Sequence, residues 1–429
     1  MDSMKKCLLL CILIIMVVPA ARRFFTSHDS LNGVYKTNGK PSFEWSRFIN
    51  NDFQEPFSRY INEGMGLRGS FIRINNQIDY SLFSIPHASK IILGKEGYLF
   101  GEENIGSYLG VDFAGQHYLD VKSTELKKLQ DELWKRKGIL LLTIFTPDKA
   151  GFFPEMIPAR MMKKGKAESN YDYYSRRCVE KGINLIDFSR YFRMMKDTSG
   201  YPLYTRTGAH WSSYGALIAA DSLIRYLELK LKTRLPEIVI DKIEVTGIPR
   251  DEDDDISRTM NLLMNLGQPG LAYPKFHFEN RGNRVNLNAL FIGDSYYWNW
   301  YKPGIIRNLF GNTDFWYYDQ DVYPQSFVKT VNTWNINTKE SVERQNVIVL
   351  MQTNSKDMCD FGYGFVDRVL PDYDTSANNR IREIERYITA HLLFTNSYNE
   401  RARKMRTSME SVIRADAIFA GNKLLRRSK

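Results

Sequence analysis

The segment Ala289-Leu290-Phe291-Ile292-Gly293-Asp294-Ser295 passes from a continuous apolar run directly into a Gly-Asp-Ser turn. Continuous apolar runs of this length are typical of strands that helices cover on both faces of a parallel sheet. Three further runs have the same character, and helix-compatible stretches separate them: 139–145, 183–187 and 347–351. The pattern predicts an α/β domain of three layers, α/β/α, with a central and mainly parallel sheet.

The length of 429 residues leaves room for appendages around this domain. We assign residues 28–90 to an N-terminal lead-in, 91–370 to the α/β domain and 371–429 to a helical C-terminal extension, with helices from about Arg380 to Leu393 and Asn399 to Ala420. Within the domain, residues 230–285 contain charged clusters, four prolines and no sustained period. This stretch is predicted to be an insertion.

The N-terminal segment has the layout of an export signal, because an uncharged apolar run at 7–21 follows Lys5-Lys6. Fifteen residues are fewer than the roughly 20 that span a bilayer, and Val18-Pro-Ala20 is only a fair cleavage site. A cleaved signal peptide and an uncleaved signal anchor over residues 1–27 therefore both stay open, beside a buried first helix of a soluble protein. We expect a periplasmic or cell-envelope location, with membrane contact through this segment.

Composition narrows the functional classes. A hydrophobic content of 43% with 25% charged residues is that of a globular protein and excludes a disordered or multi-span membrane chain. Much of the formal net charge of +10 lies in the termini, where charge keeps tails solvated, so we expect no nucleic-acid partner. Four cysteines, two of them in the N-terminal run, exclude a disulfide scaffold, and no paired-Cys or His-Glu-x-x-His spacing occurs. We expect no metal and no cofactor.

The Gly293-Asp294-Ser295 turn is a candidate nucleophile site. A serine there lies at the carboxyl edge of a parallel sheet, where α/β enzymes place their chemistry. The segment from Tyr296 to Phe310 is helix-compatible, and its first amides would stabilise negative charge. Glycine, aspartate and serine are also ordinary turn and capping residues, so the motif alone is weak.

A second polar loop, Tyr204-Thr-Arg-Thr-Gly-Ala-His210-Trp-Ser-Ser-Tyr-Gly215, supplies a candidate general base. His210 precedes a helix, with Ser212 or Ser213 as its cap, and the helix dipole favours the neutral imidazole that a base must be. The other five histidines lack this setting, although a structural role is the ordinary one for any histidine. An adjacent imidazole activates serine, and we expect His210 to contact Ser295. The helix is predicted from apolar residues at a 3.6-residue period: Ala216, Leu217, Ala220, Leu223, Ile224 and Leu227.

These motifs, in this order, resemble the alginate O-acetyltransferase AlgJ/AlgX family of the SGNH-hydrolase superfamily. The resemblance covers roughly residues 40 to 360 and includes Leu67-Arg68, Leu93-Gly-Lys-Glu-Gly-Tyr-Leu-Phe100, Thr146-Pro-Asp-Lys149, His210-Trp211 and Gly293-Asp-Ser295. It implies an SGNH-hydrolase-like fold with permuted motif order, Ser295 as nucleophile and His210 as general base and acid. It also implies an aspartate two residues before the histidine.

That aspartate is missing, because position 208 is glycine. Loss of the orienting carboxylate costs on the order of 10⁴ in turnover in serine proteases. A backbone carbonyl could replace it, or a carboxylate from elsewhere, with Asp187, Asp254 and Asp255 as candidates. The run from Asp251 to Asp255 otherwise predicts a solvated loop, with a divalent-cation site as the lesser alternative.

Candidates for oxyanion stabilisation or support are the Ser295 amide, Gly293, Asp294 and, beyond the 347–351 strand, Asn354. Ordinary loop polarity would account for these residues equally well. The aromatic residues after the serine are either a sugar-stacking platform or core packing: Tyr296, Tyr297, Trp298, Trp300 and Tyr301.

The resemblance implies an exported or membrane-anchored O-acetyltransferase-like protein that modifies a cell-surface polysaccharide through a Ser-His acyl-enzyme. Its partners would be a polysaccharide acceptor and an acyl donor delivered through a membrane-bound O-acyltransferase. Two alternatives stay open. Transfer of the same acyl group to water gives an SGNH-type carbohydrate esterase. An inactive polysaccharide-binding or assembly protein is favoured by Gly208.

Overall fold

The computed structural model describes residues 5–10, 13, 31–33, 39–64, 67–282, 285–324, 331–390 and 395–427. Its strands, numbered along the chain, are β1 Ile91–Leu93, β2 Leu99–Gly101, β3 Leu140–Thr146, β4 Leu185–Asp187, β5 Glu237–Thr246, β6 Leu271–Glu279, β7 Asn288–Gly293, β8 Asn312–Tyr317, β9 Asp321–Pro324, β10 Val331–Asn332 and β11 Val347–Thr353.

A seven-stranded sheet in the order β10-β9-β8-β7-β11-β3-β4 forms the centre of the fold. The pairs from β4 across to β8 are parallel, and β9 and β10 add antiparallel pairs at one edge. All four predicted strands lie in the parallel part. The edge strands β9 and β10 have four and two residues, too short for the sequence pattern to reveal.

The α-helices are Trp45–Ile49, Gln54–Glu63, Arg68–Phe83, Glu102–Tyr108, Gln116–Lys137, Lys149–Phe152, Asn170–Glu180, Phe188–Met195, Ser213–Leu231, Asp255–Thr259, Trp298–Tyr301, Ile305–Leu309, Thr338–Glu343, Phe365–Val369, Thr375–Ala390, Thr395–Met405 and Met409–Arg427. They bury both faces of the sheet, as alternate residues of β3 show. Leu142 and Ile144 pack in a core with the Ser213–Leu231 helix. Leu141 and Phe145 pack in a second core with the Gln116–Lys137 helix. The predicted three-layer α/β/α class is confirmed.

The predicted insertion at 230–285 contains a regular element that the sequence analysis missed. Strands β5 and β6 pair with each other in an antiparallel two-stranded sheet, with a register shift between Ile240 and Lys242. The connection between the two strands carries the short Asp255–Thr259 helix. The hairpin therefore holds residues 247–270 as one long connecting loop. The proposed domain boundaries themselves stay a prediction.

The C-terminal helices depart from the predicted bounds. The predicted helix at 399–420 is two helices, interrupted near Arg406, whose φ of 53° lies in the left-handed region. Lys122, which is 2% exposed, connects the last helix to the α/β domain through contacts with Asp367 and the Asn422 side chain.

The predicted export segment at 7–21 lies largely outside the described residues. Within the described ranges, no helix is both long and apolar enough to cross a bilayer.

We predict that Trp300 contributes strongly to stability, because its buried indole Nε1 donates a 2.8 Å hydrogen bond to the Ala216 carbonyl. Trp300→Phe should lower the free energy of unfolding by about 2 kcal/mol, through lost volume and the lost indole hydrogen bond. Trp134→Phe, at a tryptophan that is 53% exposed, serves as control and should change it by less than about 0.5 kcal/mol. Equal urea midpoints for the two variants would contradict this assignment.

Candidate active site

Ser295 follows β7 directly and lies at the carboxyl edge of the sheet. Its neighbours Asp294 and Tyr296 are buried, whereas Ser295 is partly exposed. Glycine is required just before the turn, because a Cβ at Gly293 would lie 2.8 Å from Cβ of Met351 in β11. The turn thus places a partly exposed serine at the end of a buried strand.

The segment after Ser295 is not the continuous helix predicted for 296–310. A 3₁₀ turn at Ser295–Tyr297 leads into the helix Trp298–Tyr301, and Ile305–Leu309 is a separate short helix. Pro303-Gly304 separates them, and Gly304 has a φ of 83°. Proline and a left-handed glycine both end helices. The helix dipole at Ser295 is therefore that of a single short turn.

The His210 loop is closed by a β-bridge between Tyr204 and Trp211. Trp211 is fully buried against Phe188 and other aromatic rings, which anchors the loop in the core. Ser212 caps the following helix, as one of the two predicted caps, and accepts a 2.9 Å hydrogen bond from the Gly215 amide. The loop therefore holds His210 on a fixed backbone.

The structure brings the two predicted residues together. Nε2 of His210 lies 2.7 Å from Oγ of Ser295, within the range required for proton transfer. The Tyr296 ring lies edge-on to the imidazole at 4.7 Å between centroids. The Ala209 carbonyl oxygen lies 2.6 Å from the Tyr204 hydroxyl and 3.0 Å from that of Tyr296, which joins the two loops beside the imidazole.

Asp255, one of the three candidate carboxylates, lies on the other side of the imidazole. Its Oδ2 lies 2.7 Å from Nδ1 of His210, a close ionic contact that falls short of ideal hydrogen-bond alignment. Its Oδ1 accepts hydrogen bonds from the Ala209 amide at 2.7 Å and from its own neighbour Ile256 at 2.8 Å. The carboxylate is thus fixed by the histidine loop that it contacts.

The other two carboxylate candidates lie in other contacts. Asp187 caps the Phe188–Met195 helix and accepts hydrogen bonds from the Arg190 amide and the Tyr171 hydroxyl. Asp254 forms an ion pair with Arg258 at 3.2 Å.

The expectation of a solvated loop at 251–255 is wrong for most of the run. Asp253 and Asp254 are buried, and Asp255 contacts His210. Hydroxyls and amides of the histidine loop donate hydrogen bonds to this run, which offsets the cost of burying its polar groups. Among the described residues, no three His, Cys, Asp or Glu side chains converge as metal ligands.

Gly208 leaves room for this loop. A Cβ at that position would lie 2.8 Å from the carbonyl oxygens of Glu252 and Asp253 and 2.7 Å from Oγ1 of Thr205. The Asp253 carbonyl accepts hydrogen bonds from the hydroxyls of Thr205 and Thr207. The segment that delivers Asp255 therefore occupies the space that a side chain at 208 would need.

Lys149 supports the loop from beneath. Its ammonium donates 2.7 Å hydrogen bonds to the carbonyls of Arg206 and Gly208. Burial lowers the pKa of Lys149 well below its usual range, and the negative charge of Asp255 opposes that shift. The sequence analysis singled out the Thr146-Pro-Asp-Lys149 motif, but nothing in the sequence indicates that its lysine contacts the histidine loop.

Charge favours an imidazolium at His210. Burial lowers the pKa of His210, but the contact with Asp255 and the negative charge of Asp294 together raise it by more, so the net pKa lies above its usual value. Burial raises the pKa of Asp255, but His210 and the two backbone amides together lower it by more than that. The net pKa is below its usual value, so this carboxyl is ionised. An ionised carboxylate beside an imidazole fixes the ring and stabilises its protonated form.

Of the residues predicted to stabilise the oxyanion or to support the site, Asp294 has a supporting position, because it joins the turn to neighbouring segments by hydrogen bonds. Its carboxylate accepts hydrogen bonds from the Tyr296 amide at 3.0 Å, the Thr353 hydroxyl at 2.7 Å and the Tyr363 hydroxyl at 2.8 Å. Asn354 is buried, and its side chain forms a hydrogen bond with the Asp148 carboxylate. An oxyanion role for Gly293, Asn354 or the Ser295 amide stays a prediction.

The aromatic residues after Ser295 divide into two sets. Tyr296, Tyr297 and Trp300 are buried, so for these three core packing is the correct alternative. Trp298 and Tyr301 are partly exposed, and for these two a sugar-stacking role stays a prediction.

Residues 91–255 match the family model described as the SGNH hydrolase-like domain of the acetyltransferase AlgX. This part of the chain is similar to an AlgX-type SGNH hydrolase domain. The match confirms the resemblance drawn from the sequence motifs. The residues matched to the AlgX-like model include His210 and Asp255 and end before Ser295. No match was found among curated proteins.

Three solved structures are similar to this chain at low sequence identity. The O-acetyltransferase domain of Pseudomonas putida AlgJ is 15% identical and covers 63% of this chain and 92% of its own, with a TM-score of 0.42. Pseudomonas aeruginosa AlgX is 16% identical and covers 65% of this chain and 66% of its own, with a TM-score of 0.40. Bacillus cereus PatB1 is 12% identical and covers 63% of this chain and 99% of its own, with a TM-score of 0.39.

We predict that Asp255 sets the pH dependence of Ser295 reactivity. Only neutral imidazole accepts a proton, so labelling of Ser295 by a fluorophosphonate should speed up as pH rises through the raised pKa of His210. Asp255→Asn should slow labelling by up to about 10⁴. It should also move the midpoint to lower pH, because the negative charge that raises the pKa is gone. Asp254→Asn is the matched control; an unchanged midpoint in Asp255→Asn would refute the assignment.

We predict that an aspartate at position 208 does not restore a conventional motif. Gly208→Asp should displace the 252–253 backbone and lower the free energy of unfolding by about 2 kcal/mol or more, measured by urea titration. The double variant Gly208→Asp/Asp255→Asn should label no faster than Asp255→Asn. Recovery of labelling in the double variant would show that the two positions are interchangeable.

Proposed function

We propose that this protein is an O-acetyltransferase-like enzyme of the cell envelope that acylates a polysaccharide. The observation that supports it best is the continuous contact from Asp255 through His210 to the partly exposed Ser295. A buried serine–histidine pair would have no access to substrate. A fixed carboxylate, a base and an accessible hydroxyl are the parts that serine-based acyl transfer requires. The match to an acetyltransferase family model supports the choice of acyl group.

In the first half-reaction, Ser295 Oγ forms a bond to the carbonyl carbon of an acyl donor. Its proton passes to Nε2 of His210, and Asp255 stabilises the imidazolium. The bond from the carbonyl carbon to the donor oxygen or sulfur then breaks, and the imidazolium returns the proton to that leaving group. The Ser295 backbone amide is the proposed oxyanion donor. The product is acyl-Ser295.

In the second half-reaction, a sugar hydroxyl attacks acyl-Ser295. His210 takes the hydroxyl proton, the bond from the acyl carbon to Oγ breaks, and Oγ recovers the proton. We propose that the donor reaches Ser295 through a membrane-bound O-acyltransferase partner and that the N-terminal segment directs export. Gly208 favours an inactive binding protein only if no carboxylate contacts His210. Asp255 lies beside His210, and this contact supports an active enzyme instead.

The esterase alternative differs only in the acceptor, so the test must vary the acceptor. Purified protein is incubated with a chromogenic acetyl ester, with and without a panel of oligosaccharides, and both ester cleavage and sugar mass are followed. The transferase proposal predicts sugar products 42 mass units heavier, as one acetyl group replaces one hydrogen, together with peptide-mapped acyl label on Ser295. Ester cleavage that leaves every sugar unmodified would favour the esterase.

Ser295→Ala should lose both acyl label and product, because Oγ of Ser295 is the hydroxyl that lies 2.7 Å from Nε2 of His210. Ser222→Ala is the matched control, since its hydroxyl only contacts the Ile218 carbonyl of its own helix. The enzyme proposal is wrong if wild-type protein and Ser295→Ala acetylate sugar and take up label equally.

A further inference from the structure

The helix that follows His210 receives a carboxylate from the hairpin insertion. Ser213 is the first residue of this helix, and its amide donates a 3.2 Å hydrogen bond to Oδ1 of Asp253. The first amides of a helix lack partners within the helix, and the side chain of the cap Ser212 accepts from the Gly215 amide. Asp253, which is 1% exposed, therefore adds a second cap from another segment of the chain.

The Asp253 carboxylate is also held from the hairpin side. The hydroxyl of Tyr273 in β6 interacts with this carboxylate and accepts a 2.8 Å hydrogen bond from the Arg250 amide. The Asp253 amide in turn donates to the Arg250 carbonyl at 3.0 Å. Asp253 is thus fixed between the hairpin and the amino terminus of the helix, and these contacts offset the cost of burying it.

Two carboxylates of the hairpin connection contact the histidine loop on either side of His210. Asp255 accepts a hydrogen bond from the Ala209 amide, one residue before the histidine. Asp253 accepts one from the Ser213 amide, three residues after it. Only one residue separates the two carboxylates, and consecutive Cα atoms are about 3.8 Å apart. The backbone that carries Asp255 can therefore move little while both contacts are in place.

We propose that Asp253 is a positioning residue for the proposed triad, because its contact with the Ser213 amide holds the Asp255 carboxylate against Nδ1 of His210. The inference rests on the proposed function, since it concerns the group that accepts the proton in that reaction. Asp253 acts on the imidazole through Asp255, by geometry rather than by its own charge.

The protonation of Asp253 makes asparagine a close substitute. Burial raises the pKa of Asp253 to about 7, together with the charges of Asp251 and Asp255 and against the hydrogen bonds from Tyr273 and the Ser213 amide. At pH 7 the carboxyl is therefore neutral in about half of the molecules. An amide of the same shape can still accept the hydrogen bond from Ser213, whereas alanine cannot.

The test measures the pKa of His210 directly, which needs no catalysis. The ring resonances of the full chain are titrated by NMR, and His210→Gln identifies those of His210 among the six histidines. Asp253→Ala should lower the His210 midpoint by about one pH unit, because a loosened Asp255 carboxylate raises the pKa less. Asp253→Asn should titrate as wild type does. A wild-type midpoint in Asp253→Ala, or an equal fall in Asp253→Asn, would overturn the proposal.

Ser213→Pro removes the same hydrogen bond from the other partner and covers the case in which Asp253→Ala does not fold. Proline is favoured at the first position of a helix and has no amide hydrogen. The preceding Ser212 has a φ of −67° and a ψ of 163°, an extended conformation that suits the residue before proline. The His210 midpoint should fall in this variant too, and an unchanged midpoint would contradict the positioning role.

Asp241→Ala is the matched control, because it removes an exposed aspartate from β5 of the same hairpin. Its carboxylate contacts His277 at 2.8 Å and not the histidine loop. The His210 midpoint of this variant should equal that of wild type. A fall as large as that in Asp253→Ala would show that any carboxylate lost from the hairpin has this effect, which would overturn the proposal.

Labelling of Ser295 by a fluorophosphonate separates this inference from the proposed function. Asp253→Ala should label about 10- to 100-fold more slowly than wild type, through the displaced Asp255 carboxylate, whereas Asp253→Asn should label nearly as fast as wild type. A lowered His210 midpoint in a protein whose Ser295 takes no label would support the positioning role and reject acyl transfer. Wild-type labelling and midpoint in Asp253→Ala would reject the positioning role alone.

Discussion

The contact between the Asp255 carboxylate and the histidine loop joins the two separate parts of the active site. One oxygen of this carboxylate is bound by the Ala209 amide, and the other lies beside His210. The same interaction therefore positions the loop, ionises the carboxylate and raises the pKa of the imidazole. Because it connects a hairpin insertion to the sheet edge, the insertion is part of the proposed active site.

Burying this connection requires that many polar groups find partners. The hydroxyls of Thr205 and Thr207 donate to the Asp253 carbonyl, and Lys149 donates to two carbonyls of the same loop. A half-satisfied network of this kind is worse than an apolar core, whereas a fully paired one holds a unique geometry. The absence of a side chain at Gly208 lets the two backbones approach closely enough to pair.

The sequence was sufficient for the parallel sheet, because each core strand is a continuous apolar run that helices bury on both faces. It was insufficient for β9 and β10, whose few residues lack a period, and for β5 and β6, whose pairing depends on tertiary placement. Pro303-Gly304 is a helix-breaking pair in the sequence, but the flanking residues are compatible with a helix, so the segment from Tyr296 to Phe310 was predicted as one helix. The sequence was sufficient to pair His210 with Ser295, because their motifs occur in the order that the resembled family has and Ser295 was expected at the carboxyl edge of the sheet. Asp255 could only be named among three candidates, since no local pattern tells where a long hairpin connection will dock.

The three groups of the proposed triad come from segments far apart along the chain, and His210 and Ser295 alone are separated by 85 positions. No short stretch of the polypeptide contains an activated hydroxyl, since serine alone is a weak nucleophile. Under the proposed mechanism, Ser295 becomes reactive only when hairpin, loop and strand end have docked. A protein that crosses a membrane before it folds would thus carry no activated serine through the cytoplasm.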